Sequence, residues 1–538
     1  MLTGTQIILL REGSERSEGP EAQKEIIRAA RAIADALRST LGPRGRDKMM
    51  VDSLGEILIT NDGATILQKM EIQHPAGKML AEVAKAQDQE CGDGTKSSVI
   101  LAGELLHKAE DLMGEKLHPT VITRGYQIAA EKALEYLASL GRPVRLQDTE
   151  LLERIAMTSM MSKGVASYRA ELARLAVRAV SEVIDSRGET LRFDRKNIQM
   201  VKRSGGEVHD SELFDGHIIE QEALHSAMPK LVTGARIALV EGAFEAKKTE
   251  FTSEIKITAV NQRQSFMDEE ARMVQRMVDA VVAAGANVVF AEKGIDDVAA
   301  EHLARAGVYA VRRVKRSDLE LLARATGGRL VARPVDLGPG DLGAAATVTE
   351  RKIGDDRLTL VSGCPKARAV TILIRGGAQH VVDEVERSLI DAVMTVGVAL
   401  EDGRVVTGAG ATAMELSQHL RDFASTVGGR EQLAVDAFAS ALEVIPLVLA
   451  ENAGMDTIDA LIELRHRHKG GERNAGVNVV EAKISDMESI AVEPIRVSRQ
   501  EILGATEAST MLLRIDDVIS SRRTAGGPPS NPGGPSLG

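Results

Sequence analysis

The order of hydrophobic periods along the chain constrains its fold more than any other feature: helix-period stretches at both ends enclose a middle that alternates between strand and helix. Between 20 and 41, Ile26, Ile27, Ala30, Ile33, Ala34 and Leu37 recur three and four residues apart, the spacing of one helix face. The same period covers 76–89, 97–113, 120–140 and 171–184. In the middle, short apolar runs at 286–291, 308–311 and 329–331 read as buried strands, with helical patterns at 296–305 and 318–325 between them, which implies an α/β unit. The helical period returns from 383 through Leu389, Val393 and Val396, and again over 414–427 and 432–452. Helical ends around an α/β middle predict an insertion, with both termini building one helical domain. At 538 residues the chain exceeds a single core. Domains of about 100–200 residues predict roughly three here.

Charge and composition exclude several classes. A net charge of −11 with 2% aromatics and no Trp argues against nucleic-acid binding, which needs a basic face and rings for stacking. No apolar run nears the ~20 residues of a membrane span, and the start, MLTGTQIILLREG, lacks the basic-then-apolar order of a secretory signal, so a cytoplasmic protein is expected. Cys91 and Cys364 lie far apart with no metal or redox spacing, as in a reducing compartment. The end, 526–538, is Gly, Pro and Ser with little to bury, and predicts a flexible tail.

Glycine-rich turns carry the candidate chemistry. Leu41-Gly42-Pro43-Arg44-Gly45 follows the first long helix; it lets backbone approach a ligand, and reads equally as an ordinary helix end. Gly92-Asp93-Gly94-Thr95-Lys96-Ser97 opens a helix, where free N–H groups suit an anion, hydroxyls lie close, and Asp93 can hold Mg2+. A P-loop is excluded, because Thr95 precedes Lys96 and the upstream segment is helical instead of a strand. Asn61-Asp62-Gly63 follows a predicted hairpin at 49–59 and reads as a tight turn or as part of a site. Gly408-Ala409-Gly410-Ala411 precedes another helix start and reads as a site or as a plain loop. By pattern alone Asp391 is a carboxylate on a helix surface.

Together and in this order, LGPRGRDKM, NDGATIL, HPAGKML, GDGT, the GAGA turn with MELSQHLR behind it, and ATEASTMLLRIDDVI resemble the group II chaperonins over nearly the whole chain. The resemblance implies a multidomain α and α/β fold. A helical equatorial domain would span 1–145 and 402–523, and a small intermediate domain 146–215 and 368–401. An apical α/β domain at 216–367 would be inserted between them, with a helical protrusion at about 246–278 as a built-in lid; 524–538 is the tail. It implies ATP-driven folding of non-native protein clients inside stacked rings of eight or nine identical or homologous subunits. No separate co-chaperonin lid, nucleic acid or membrane is expected.

By resemblance, Leu41, Gly42, Pro43 and Gly45 approach the nucleotide. Gly92, Asp93, Gly94, Thr95, Lys96 and Ser97 cradle phosphates, with Asp93 on Mg2+. Asp62 and Asp391 position and activate the attacking water, and Lys163 senses the terminal phosphate. Gly408, Gly410 and Glu493 contact the rest of the nucleotide. The helices at 296–305 and 318–325 are candidate client surfaces whose apolar residues equally read as packing on a sheet. Lys96 stands where the family has a second Thr, Ser498 where a Lys is common, and 476–482 departs from the usual pattern on the nucleoside side. Lys96 motivates an alternative: a weakly hydrolysing, mainly structural subunit of a mixed ring.

Overall fold

The structure is a computed structural model that describes residues 14–51, 55, 57–185, 190–245, 260–354, 356–365 and 369–521. The tail at 524–538 and the part of the expected protrusion at 246–259 lie outside the described residues.

Helices from both ends of the chain share one core. The Pro20–Arg38 helix begins with Pro in its first turn, where no N–H is missed, and buries Ile26, Ile27, Ala30, Ile33 and Leu37. It packs on the Thr95–Gly114 helix at close range: a Cβ on Gly103 would come within 2.3 Å of the Ala34 Cβ. Gly125 in the Pro119–Leu140 helix gives the same approach to Ala434 from the returning chain, at 2.4 Å. That chain supplies Ala411–Ala424, Glu431–Leu442, Val444–Ala453, Thr457–Lys469 and Ile495–Leu513. The two ends are joined directly, since Ser14–Glu18 pairs antiparallel with Asp517–Ser521.

The pattern at 432–452 predicts one helix, but the structure has two, divided at Glu443. Pro446 has no N–H to continue the first helix, and the Glu443 carboxylate is drawn into ion pairs with Arg421 and Arg465. Among the described residues, the stretch Glu431–Ala453 alone is long and apolar enough to cross a membrane, yet most of its apolar window is buried inside this core.

The chain leaves and re-enters the helical core through a single small sheet, in which Arg404–Thr407 lies between Val492–Pro494 and Arg142–Pro143. A second core follows, with the helices Thr149–Ser159, Arg169–Val183 and Gln379–Asp402 against Ile198–Ser204, Val370–Gly376 and Glu212–Asp215. Ile198–Ser204 and Val370–Gly376 run parallel, so outgoing and returning segments are again neighbours.

Nested inside is a seven-stranded sheet around Leu231–Val240, with Val288–Ala291 and Tyr309–Val311 parallel on one side, and the antiparallel Gly343–Ile353 and Asp356–Ser362 together with the short parallel Leu330–Val331 on the other. Side chains alternate across it with period two: Ala238 and Val240 enter one core, Ile237 and Leu239 the other. Val260–Ala284 and Asp297–Arg305 cover the first face with Val274, Val278, Val281 and Leu303. Arg316–Thr326 covers the second with Leu319 and Leu322. The apolar residues of these two candidate client helices therefore mostly pack on the sheet, and Val298, 45% exposed, is an exception.

Candidate active site

Four segments of the helical core and one loop of the second core meet at a cleft. The first long helix ends where the Thr40 hydroxyl donates to the Leu37 carbonyl at 2.7 Å, and Asn452 donates from Nδ2 to the carbonyls of Arg38 and Leu41, both at 2.9 Å. Gly42 then turns at φ +78, a left-handed conformation that favours glycine, and a Cβ there would strike Leu449 at 2.3 Å. The next segment, Gly92-Asp93-Gly94, closes the Pro75–Cys91 helix and opens Thr95–Gly114, both glycines being left-handed. Gly94 caps without a side chain, so the N–H groups of Thr95, Lys96 and Ser97 have no partner among the described residues. Three unpaired donors at a helix start, beside a backbone held close by glycine, form an anion cradle.

The cleft encloses about 820 Å3 of empty space. Gly42, Pro43, Asp93, Gly94 and the first turn through Ser97 line its polar end. Thr158, Ser159, Met161 and Ser162 reach in from the second core. Ala409, Leu449, Val477, Met487 and Ile490 add an apolar part to the lining.

Charged groups surround the cradle. Asp62 caps the Gly63–Lys69 helix, its Oδ2 accepting from the Thr65 N–H at 2.8 Å. Burial pushes its carboxyl up, but Lys163 and Thr65 outweigh this and hold it below the usual carboxylate value. Asp391, on the Gln379–Asp402 helix, behaves oppositely: burial raises it to about 8 although Lys163 is its ion-pair partner. Burial also raises Asp93, against the pull of the Gly94 N–H. For Lys163, Asp391 and Asp62 overcome the loss of solvent and raise its pKa, whereas desolvation takes Lys96 down to about 8. Two carboxylates of divergent proton affinity around a shared lysine give one group that stays charged and one that can hold a proton.

Among the described residues Lys96 touches no carboxylate. Its Nζ donates to the Thr40 carbonyl at 3.0 Å, to Asn61 Oδ1, and to the Ser162 hydroxyl at 3.5 Å. Gly63 makes room for it, as a Cβ there would meet the Lys96 Cγ at 2.7 Å. Asn61 Nδ2 stays buried without a partner. No three His, Cys, Asp or Glu side chains among the described residues stand together as a metal cage. Asp93 is the carboxylate that lines the cleft, and one carboxylate suits Mg2+, which completes its shell from phosphate oxygens and water.

Of the predicted residues, Leu41, Gly42, Pro43, Asp93, Gly94, Thr95, Lys96 and Ser97 line the cleft. Gly45 and Lys163 line a second cleft beside it. Asp62 and Asp391 lie behind the cradle, linked through Lys163. Gly92 acts through packing, its missing side chain leaving space for Met394 at 2.4 Å. Gly410 is likewise filled by Pro446 at 2.6 Å, and Ala409 faces the cleft in its place. Gly408 donates its N–H to the Ala491 carbonyl at 2.9 Å, while Glu493 accepts from Ser498 at 2.6 Å; neither lines the cleft. Sequence reasoning missed Glu501, which stands against Gly94 and is raised well above the usual value by burial, with Glu493 adding to the effect. It also missed Leu449, Met487 and Ile490, apolar residues with no motif around them.

Three nested units of chain, joined by paired crossing strands and carrying a glycine-built anion cradle in the helical one, define a chaperonin subunit. Residues 33–523 match the TCP-1/cpn60 chaperonin family, and the chain belongs to that family. It is 51% identical to the thermosome subunit of Methanopyrus kandleri over 96% of this chain and 95% of that one. It is 50% identical to thermosome subunit beta of Archaeoglobus fulgidus over 97% and 96%. A solved open-state monomer of a group II chaperonin from Methanococcoides burtonii superposes with a TM-score of 0.64 at 42% identity, covering 79% of this chain and 100% of that one. Within the family the chain is of the group II kind, a molecular chaperone with a helical equatorial, an intermediate and an inserted apical α/β domain. Likeness of this extent does not favour a mainly structural subunit.

Proposed function

We propose that the cleft binds Mg-ATP and hydrolyses it, and that the cycle drives enclosure and folding of non-native proteins within a ring. The observation that carries this reading is the unpaired N–H cradle of Thr95, Lys96 and Ser97 flanked by Asp62, Asp93 and Asp391. Gly42, Gly94 and the first turn after it hold the phosphates, and the apolar wall from Leu449 to Ile490 takes the base. Gly45, Gly92, Gly408 and Gly410 shape the turns around this site, and Glu493 supports it from behind. Asp93 is the protein's ligand for Mg2+, which when bound neutralises phosphate charge. Asp62, held ionised, orients the water, and Asp391 accepts its proton once Lys163 turns to the terminal phosphate. Phosphoryl transfer needs mainly such positioning and charge neutralisation.

Assembly has its own support. In the hairpin of Lys48–Val51 and Ile57–Thr60, Met49, Val51, Ile57 and Ile59 share one face and are 53–66% exposed, an apolar edge suited to another subunit. Stacked rings of eight or nine identical or homologous subunits, domain boundaries near 145, 215, 367 and 401, and a lid built from about 246–278 without a co-chaperonin complete the reading. A cytoplasmic location fits the two free thiols. The test is ATP hydrolysis by the purified assembly with Mg2+; absence of turnover above an Asp391→Ala control overturns the reading.

A further inference from the structure

A second cleft, with about 860 Å3 of empty space, adjoins the first and shares Pro43, Met161 and Ser162 with it. Its charge is lopsided: Arg44, Lys163 and Arg169 line it against the single carboxylate of Asp47. The two arginines are not neutralised. Among the described residues Arg44 donates to carbonyls alone, of Ala453 at 3.0 Å and Val480 at 3.1 Å. Arg169 makes no ion pair or hydrogen bond through its side chain among the described residues, and its Nε is buried without a partner. Burial alone lowers its proton affinity.

Arg169 is also the first residue of the Arg169–Val183 helix, where the helix dipole disfavours a cation. Neither helix stability nor pairing explains it. A planar guanidinium with open donors suits an oxyanion. Lys163 stands at the junction, lining this cleft while its ammonium pairs with Asp391 behind the cradle. Exposed Val480, at 73%, marks the solvent rim.

We propose that the second cleft is the exit site for inorganic phosphate, with Arg169 as its anchor and Arg44 at its mouth. This rests on the reading of the first cleft as an ATP-hydrolysing site. There the water oxygen bonds to the terminal phosphorus, the bond to the bridging oxygen of ADP breaks, and the water's proton passes to Asp391 and from it to solvent. The phosphate so freed is drawn past Lys163 to Arg169 while ADP stays in the first cleft.

The test compares total phosphate after acid quenching with free phosphate followed by a fluorescent phosphate sensor, in a single turnover of the full assembly. In Arg169→Gln the cleavage trace is expected to match the wild type while the free-phosphate trace lags about tenfold, the size of one charge-assisted bond, and Arg169→Lys restores most of the rate. Binding of inorganic phosphate alone, by calorimetry, is expected to weaken about tenfold in Arg169→Gln. Unchanged release together with unchanged phosphate binding in Arg169→Gln overturns the proposal. Absence of any cleavage in the wild type sinks the hydrolytic reading instead, and the calorimetry then still decides whether the anion site exists.

Discussion

Replacing Lys163 by Met keeps the length of the side chain and removes the charge that links Asp62 to Asp391. The two side chains of the Lys163–Asp391 pair are only 6% and 14% exposed, so little water can take the ammonium's place. Stranding a buried carboxylate by removing its partner costs about 3–5 kcal/mol. Asp391 avoids most of that cost by protonation, because burial already places its carboxyl at about 8. Lys163 pulls that value down, so its loss moves it further up. In the proposed mechanism Asp391 acts as the carboxylate, which accumulates as pH rises through about 8. In wild type the turnover should therefore climb across that pH. In Lys163→Met the climb should move upward by at least about one unit, with turnover at pH 7 lowered about tenfold or more, since one unit is a tenfold change in ionised fraction. Steady-state hydrolysis from pH 6 to 10, with nucleotide binding measured in parallel, is the assay. Asp391→Asn should be low and flat throughout, by about 100-fold or more. An unshifted profile in Lys163→Met, or near-normal turnover in Asp391→Asn, would refute the reasoning.

Other perturbations follow from the same geometry. Gly94→Ala forces a side chain into φ +81 and against Glu501 and Gln87 at 2.6 and 2.7 Å, and should weaken nucleotide binding by about 1–3 kcal/mol in a fluorescent-nucleotide titration. Lys96→Gln should lower ATP affinity about tenfold in chelator and less with Mg2+, because its ammonium is not neutralised by any contacting carboxylate; equal affinities would show that Lys96 never meets the phosphates. Met49→Lys with Ile59→Lys places charges on the exposed face of the hairpin, and should shift native mass from rings to free subunits while leaving far-ultraviolet circular dichroism unchanged.

The sequence was most informative where local chemistry and tertiary role coincide. The Pro20–Arg38 helix and the Gly92–Ser97 turn were legible because each declares itself within a dozen residues, by period or by glycine. The division at Glu443 was not: the apolar period runs unbroken across it, and what separates the helices is Pro446 and the pull of Arg421 and Arg465 from other segments. Leu231–Val240 escaped for a related reason. Its Gly and Ala residues carry little strand preference, and its inner half is buried on both faces, which removes the alternation a strand is read by. The apolar wall of the cleft is assembled from Leu449 on one helix and from Val477, Met487 and Ile490 on a later strand-and-turn segment, each individually ordinary. Gly92 and Gly410, expected from the resemblance to lie at the nucleotide, each face a packed side chain instead of the cleft.

The account's central claim, a ring driven by ATP through this cleft, is tested most directly by electron microscopy of the purified protein with and without Mg-ATP, beside Asp391→Ala. It predicts stacked rings in every sample, with a closed form appearing only when wild-type protein turns over ATP. Free subunits under all conditions, or rings whose shape ignores ATP, would contradict it.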